Sequence, residues 1–396
     1  MTRRRGLPPS AVLFVVLFAA QASILVLSPI LPQVAADFGV ATSTAAQLRS
    51  VSGVTAGIAA LVVAVTGGRF RLSSLLSTGL LLAAGSMGSA LAPTFAVLVA
   101  AQSVIGLGLA MVLSGGLAAS ESWAADGESA RVLSWALIGQ PVAWIVGQPV
   151  VGWVAGTDWR WAWVAVPFVS SLVALAVVAV RDRSAGDEGR GCDPVGLWRQ
   201  PGVKPWAIGE LLGFSAWGGT LVYAGAFFVE TYGASVGLTG LILGAGAAAY
   251  LPGNFVGRRW LQRGPAAPLV VFALGGGAVV VVLTVADAGT AFSAVVFGVL
   301  AFLAAGRTIA GAALGLRVSG GRRLAAMSVR TAMLQFGYLA GSVLGGVALS
   351  RWGFAGMGWA FGALFAAAAV APAFTGSLRD RAAAGLLRRH RRTGSP

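Results

Sequence analysis

The chain has 396 residues, of which 57% are apolar and only 10% charged, and its 28 basic residues outnumber 13 acidic ones for a formal charge of +15. Soluble domains carry roughly 25% charged residues, and disordered chains are poor in apolar ones, so both classes are excluded. What remains is a polytopic membrane protein, for which twelve spans of about 20 residues would use roughly 250 positions.

Apolar runs predict spans over 11–36, 46–66, 72–92, 94–119, 132–155, 161–180, 206–229, 236–256, 266–286, 291–316, 326–349 and 353–376. Ahead of the first lie Arg3, Arg4 and Arg5. Ala20-Gln21-Ala22 resembles a signal-peptidase site, but the apolar run continues to Ala36, which favours a retained span. Arg69 and Arg71 occupy the turn between spans two and three, and Arg258, Arg259 and Arg263 the matching turn between spans eight and nine. Span five repeats Gly139-Gln140-Pro141-Val142 as Gly147-Gln148-Pro149-Val150. Each proline removes a backbone donor and bends the helix. Gln140, Trp144 and Gln148 recur every fourth residue and form a stripe expected to face a cavity. The adjacent stripe of Gly139, Ala143 and Gly147 is expected to pack on a neighbouring helix. Trp159, Trp161 and Trp163 suit an interfacial belt. Gly244 to Ala249 superficially fits a dinucleotide fingerprint, but it sits inside an apolar helix, where helix packing explains it.

The charges fix an expected orientation. With the N-terminus inside, only Arg49, Arg160 and Arg351 fall outside and Arg307 falls within a span, which leaves 24 of the 28 basic residues on the cytoplasmic side. Both termini are therefore expected in the cytoplasm of a bacterium, with the chain in its cytoplasmic (inner) membrane. Residues 181–205 form the longest cytoplasmic segment and divide the chain into six-span halves, 1–180 and 206–378, followed by a basic tail, 379–396. The fold class is thus an all-α membrane protein with twelve transmembrane helices in two pseudo-symmetric six-helix bundles. Paired halves are the pattern of a rocking transporter with its site between them.

Other chemistry has little to work with. Cys192 and His390 are single, and Lys204, the one lysine, follows Val203 rather than the glycine of a phosphate-binding loop. No cofactor, no metal and no enzymatic activity are expected. The tail, with Arg388 to Arg392, suits anionic lipid of the inner leaflet better than nucleic acid.

Several motifs resemble the major facilitator superfamily, and within it the twelve-span drug:proton antiporters. Leu27-Ser28-Pro29-Ile30-Leu31-Pro32, followed by Asp37-Phe38-Gly39, is similar to that group's paired-proline signature. Gln102-Ser103-Val104-Ile105-Gly106-Leu107-Gly108 is similar to its span-four RxxxGxG, with glutamine in place of the arginine. Gly147-Gln148-Pro149-Val150-Val151-Gly152 is similar to its span-five glycine–proline motif, and Asp158 to Trp163 with Pro167 to its approach to span six. The resemblance covers about residues 11–376. It implies the superfamily fold, a cavity lined by spans one, four, seven and ten, export against inward proton flow, and gating or structural roles for Arg69, Arg71, Pro141, Gly147, Pro149 and Gly152. The aspartate usual between spans two and three is missing.

Ionisable groups at span depth mark function or partnership. Arg307 and Glu210 are expected to face each other. Glu210 leads the candidates for proton carriage, ahead of Asp37 and Glu230 near the outer surface. Candidate substrate contacts are Gln21, Gln102, Gln140, Trp144, Gln148, Trp217, Tyr223, Arg307, Gln335 and Tyr338. Amides, rings and one arginine suit an amphipathic organic molecule with a negative or carbonyl group. The expectation is a monomeric, proton-coupled exporter of a drug or secondary metabolite. The alternatives are an uptake permease for a nutrient or organic anion, and a non-transporting sensor.

Overall fold

The computed structural model describes residues 6–66, 69–125, 128–181 and 194–375. Among these the chain is helical throughout. In hydrocarbon every backbone polar group must be satisfied within the protein, and the helix does this locally. The spans are α1 (Pro9–Asp37), α2 (Thr42–Val63), α3 (Leu72–Ala90), α4 (Phe95–Ser122), α5 (Arg131–Val154), α6 (Trp159–Ala179), α7 (Val203–Tyr232), α8 (Val236–Trp260), α9 (Ala266–Val285) and α10 (Thr290–Val318). The last helix, Arg323–Val370, is two spans in one: Gly353, at φ 66°, breaks it into α11 (323–352) and α12 (354–370). A positive φ costs glycine nothing, so the hairpin needs no longer loop. Twelve crossings result, each within a few residues of its predicted place. The linker's residues 182–193, Arg3 to Arg5 and the tail lie outside the described residues. The second half begins at Val203, slightly before its predicted start.

Large apolar side chains point outward along the spans, among them Ile58, Val62, Leu81, Trp153, Val295 and Trp359. Such a rim suits lipid and no aqueous surface. α1 and α7 are the most enclosed spans.

The halves meet along three seams, α1 with α7, α2 with α11, and α5 with α8. Small residues make the contacts. A Cβ on Gly225 of α7 would collide with the Ser28 carbonyl of α1. A Cβ on Gly240 of α8 would lie 2.5 Å from the Gln148 carbonyl and 2.9 Å from the Gly152 Cα of α5. Pro149 packs on Gly244 across the same seam. Gly152 and Pro149 therefore join the two halves, whereas Gly147 contacts Leu25 and Val166 inside its own half.

Every cross-half hydrogen bond among the described residues lies between mid-bundle and the side remote from the termini. Thr42 Oγ1 donates to Glu230 Oε1 (2.6 Å), Gln47 Nε2 to the Ser342 carbonyl (3.2 Å), and the Gly225 amide to Ser28 Oγ (3.3 Å). The hydroxyls of Ser50 and Ser342 also meet, and Arg49 Nη2 donates to Gln335 Oε1 (3.0 Å). The remote side is thus sealed.

Candidate functional site

A cavity of about 900 Å³, its mouth included, lies between the halves. Helical periodicity delivers its walls. On α7, Phe214, Trp217 and Leu221 line it; on α11, Arg330, Leu334 and Tyr338, four residues apart; on α5, Gln140, Pro141 and Trp144. α1 adds Gln21 and Ile24, α8 adds Leu243, Ala247 and Tyr250, and α10 adds Phe297, Ala301 and Thr308. No residue of α4 lines it, so α5, α8 and α11 join α1, α7 and α10 where the resemblance implied a wall of one, four, seven and ten.

Rings and amides fix the shape of this wall. Trp217 stacks with Tyr250 and with Phe297, the ring centroids 6.4 Å apart in each pair. Trp144 Nε1 donates to Gln21 Oε1 at 3.1 Å, tying α5 to α1 at the cavity surface.

Charge lies at the wall nearer the termini. Glu210 is buried with both carboxylate oxygens occupied: Oε1 accepts from Arg307 Nη2 at 2.9 Å and Oε2 from Arg330 Nε at 2.7 Å. Arg307 Nη2 also reaches the Gly209 carbonyl (3.0 Å), and Arg330 Nη2 the Thr308 carbonyl (2.9 Å). Both guanidiniums flank the Phe214 ring, at 4.9 and 5.1 Å from its centroid. The predicted Arg307–Glu210 pair forms, but Arg307 is buried behind the wall, and the arginine at the cavity is Arg330. Arg330, one of the 24 basic residues expected on the cytoplasmic side, lies within α11 instead. Its spacing to Tyr338, eight residues or two turns and a fraction, was the signal that placed both on one face.

The other predicted contacts separate. Gln21, Gln140, Trp144, Trp217 and Tyr338 meet at the cavity. Gln102 is buried away from it, donating to Ser89 Oγ at 3.0 Å. Tyr223 donates to the Ser342 carbonyl at 2.7 Å, near the sealed side. Gln335 faces the α2 seam, where it accepts from Arg49. Gln148 is fully buried and donates to the Leu25 carbonyl at 3.0 Å. Pro29 has no N–H to offer that carbonyl, its helical partner four residues back, so Gln148 supplies the missing donor. The glutamine stripe of α5 therefore divides: Gln140 and Trp144 face the cavity, and Gln148 repairs the kink of α1.

Asp37 and Glu230 belong to the remote side. Asp37 Oδ2 accepts from Arg160 Nη1 (2.6 Å) and Trp159 Nε1 (3.3 Å), inside one half, and Glu230 accepts from Thr42 in the seal. Arg69 and Arg71 are exposed at the turn before α3. Arg49 is not on the outer side as the charge count expected. It is buried in α2, bonded to Ser52 Oγ (2.7 Å) and Gln335, with its guanidinium 4.0 Å from the centroid of the Tyr338 ring.

Comparison with known proteins fits this architecture. A profile of the major facilitator superfamily matches residues 13–306. The chain belongs to the major facilitator superfamily. A curated relative from Pseudomonas aeruginosa, named transcription regulatory protein OpdE, is 28% identical over 384 residues, 93% of each chain. Among solved structures, a bacterial homolog of the human lysosomal transporter Spinster, in an inward-facing and occupied conformation, matches with TM-score 0.72 at 14% identity, over 94% of this chain and 96% of that one. A D-xylose–proton symporter matches with TM-score 0.71 at 14% identity, over 92% and 96%. These likenesses establish the fold of an integral membrane transporter family.

Proposed function

We propose that this protein is a proton-coupled secondary transporter that moves a small amphipathic organic compound by alternating access. The observation that carries the reading is a cavity between two halves that are bonded to each other on the remote side, walled by rings and amides above a buried acid–base cluster. In the proposed orientation both termini are cytoplasmic, the sealed side faces outward, and the chain works as a monomer in the bacterial inner membrane. Glu210 is the proposed proton carrier, because it is the acid beside the cavity, whereas Asp37 and Glu230 sit at the remote surface. Outward transport of a drug or secondary metabolite is the direction taken from the resemblance of spans one and five to drug:proton antiporters.

The test is flux in vesicles of known orientation, with a compound panel and with or without a proton-gradient uncoupler. Gradient-dependent movement that Glu210→Gln abolishes supports the reading, and movement indifferent to both removes the proton from it. The name of the P. aeruginosa relative favours a second reading, a membrane protein that binds a compound and reports it. Ligand binding without flux in reconstituted protein would favour that one.

A further inference from the structure

Around the cavity the charges do not balance. Two guanidiniums, Arg307 and Arg330, share the single carboxylate of Glu210, so the cluster carries one surplus positive charge. The members are not equally presented. The side chains of Glu210 and Arg307 are 1% and 2% exposed, whereas that of Arg330 is 18% exposed and lines the cavity. Its Nε and Nη2 are bonded, and its Nη1 makes no hydrogen bond among the described residues. A ligand in the cavity therefore meets the cation and not the carboxylate behind it. A second guanidinium, Arg49, lies behind Tyr338, two turns further along the same wall, bonded only to neutral groups.

Uncompensated charge in a low-dielectric interior is costly and attracts a counter-charge. The free Nη1 of Arg330 can donate a charge-assisted hydrogen bond to a carboxylate. The stacked rings of Tyr250, Trp217 and Phe297 give an apolar body its place beside that guanidinium. We infer that the compound this cavity takes is an aromatic monocarboxylate, with Arg330 as the anchor for its charge. Binding would leave two neutral pairs, Arg307 with Glu210 and Arg330 with the ligand. The inference rests on the reading of this cavity as the transport site and adds the ligand's charge, which that reading leaves open. A cationic compound would meet the exposed Nη1 of Arg330 with no acid facing it.

The test needs no variant in its first arm. Purified full-length protein in chloride-free buffer is titrated with hydrocinnamate, its amide hydrocinnamamide and the amine phenylpropylamine, followed by the naphthyl homologues of all three. Quenching of the intrinsic tryptophan fluorescence, to which Trp144 and Trp217 contribute from the cavity wall, is the readout. The acids should bind roughly tenfold or more tightly than the amides, as expected for a hydrogen bond to a charged partner, and the amines should bind weakest. Arg330→Gln should level acid and amide, and Arg330→Lys should keep the order. Amides or amines binding as well as the acids, a preserved order in Arg330→Gln, or no binding by any of the compounds would each overturn the inference. Flux of the same compounds into proteoliposomes separates it from the reading it rests on. Acid-selective binding without flux removes the transport reading and leaves the anion site. Flux of amides or amines in preference to acids does the reverse.

Discussion

Replacing Glu210 by glutamine should be the most damaging single change in the charged cluster. In the wild type one carboxylate lies between two guanidiniums, giving a net charge of +1. Glu210→Gln raises that to +2 at a site where two of the three side chains are 2% exposed or less. Arg307→Gln and Arg330→Gln each lower it to zero. Removing one member of a buried ion pair and stranding its partner costs about 3–5 kcal/mol. Arg307 keeps its bond to the Gly209 carbonyl and Arg330 its bond to the Thr308 carbonyl, so the expected loss sits near the lower end, about 3 kcal/mol. Arg330→Gln leaves the Arg307–Glu210 pair intact and removes a partner that still meets the cavity, so about 1 kcal/mol is expected. The double variant Glu210→Gln/Arg307→Gln returns the cluster to +1 and should regain part of the stability that Glu210→Gln loses. The assay is thermal unfolding of purified protein in detergent, read by intrinsic fluorescence, for the three single variants and the double. The reasoning is refuted if Glu210→Gln unfolds at the wild-type temperature, or if adding Arg307→Gln lowers its stability further.

Three other outcomes follow from single contacts. Gln148→Ala strands the Leu25 carbonyl freed by Pro29 and should cost about 1–3 kcal/mol in thermal unfolding. The same change in a Pro29→Ala background should cost clearly less, because residue 29 then supplies the donor, and equal costs in the two backgrounds would contradict the repair role. Gly240→Leu places a side chain where the Gln148 carbonyl and the Gly152 Cα already stand, so the seal on the remote side should loosen. A cysteine installed at Ser28 should then react faster with an impermeant thiol reagent, and unchanged labelling would refute the seam's role. Trp144→Phe removes the bond to Gln21 Oε1 while keeping a ring at the wall. It should weaken binding of an aromatic ligand a few-fold with little change in thermal unfolding, and a large drop in unfolding temperature would make Trp144 structural instead.

Much of the architecture could be read from single residues, because hydrocarbon imposes one rule on every backbone group. That rule made apolar length enough to find the spans, including the two that Gly353 divides within one continuous segment. The site was readable where side chains repeat along a helix. Gln140 with Trp144 was visible in this way, and the Arg307–Glu210 pair was expected from the depth of two ionisable groups in their spans. It was not readable where the decision belongs to a neighbour. Gln148 continues the stripe of Gln140 but meets a carbonyl on α1, and only the packing of α1 against α5 reveals this. Gln335 and Tyr338 are three residues apart, yet one turns to Arg49 across the seam and the other to the cavity.

The sequence by itself determined that the chain lives in a bilayer, how many times it crosses, and that ionisable groups inside it must find partners. Those conclusions depend on composition and helical rise, which are local. Only the tertiary structure decided which partners they found: Arg330 rather than Arg307 at the cavity, Arg49 buried rather than outside, α5 and α8 rather than α4 on the wall. The reason is physical. Periodicity fixes which residues share a helix face, but the rotation of each helix against its neighbours is set by the small-residue contacts between helices, and those exist only once the bundle is assembled.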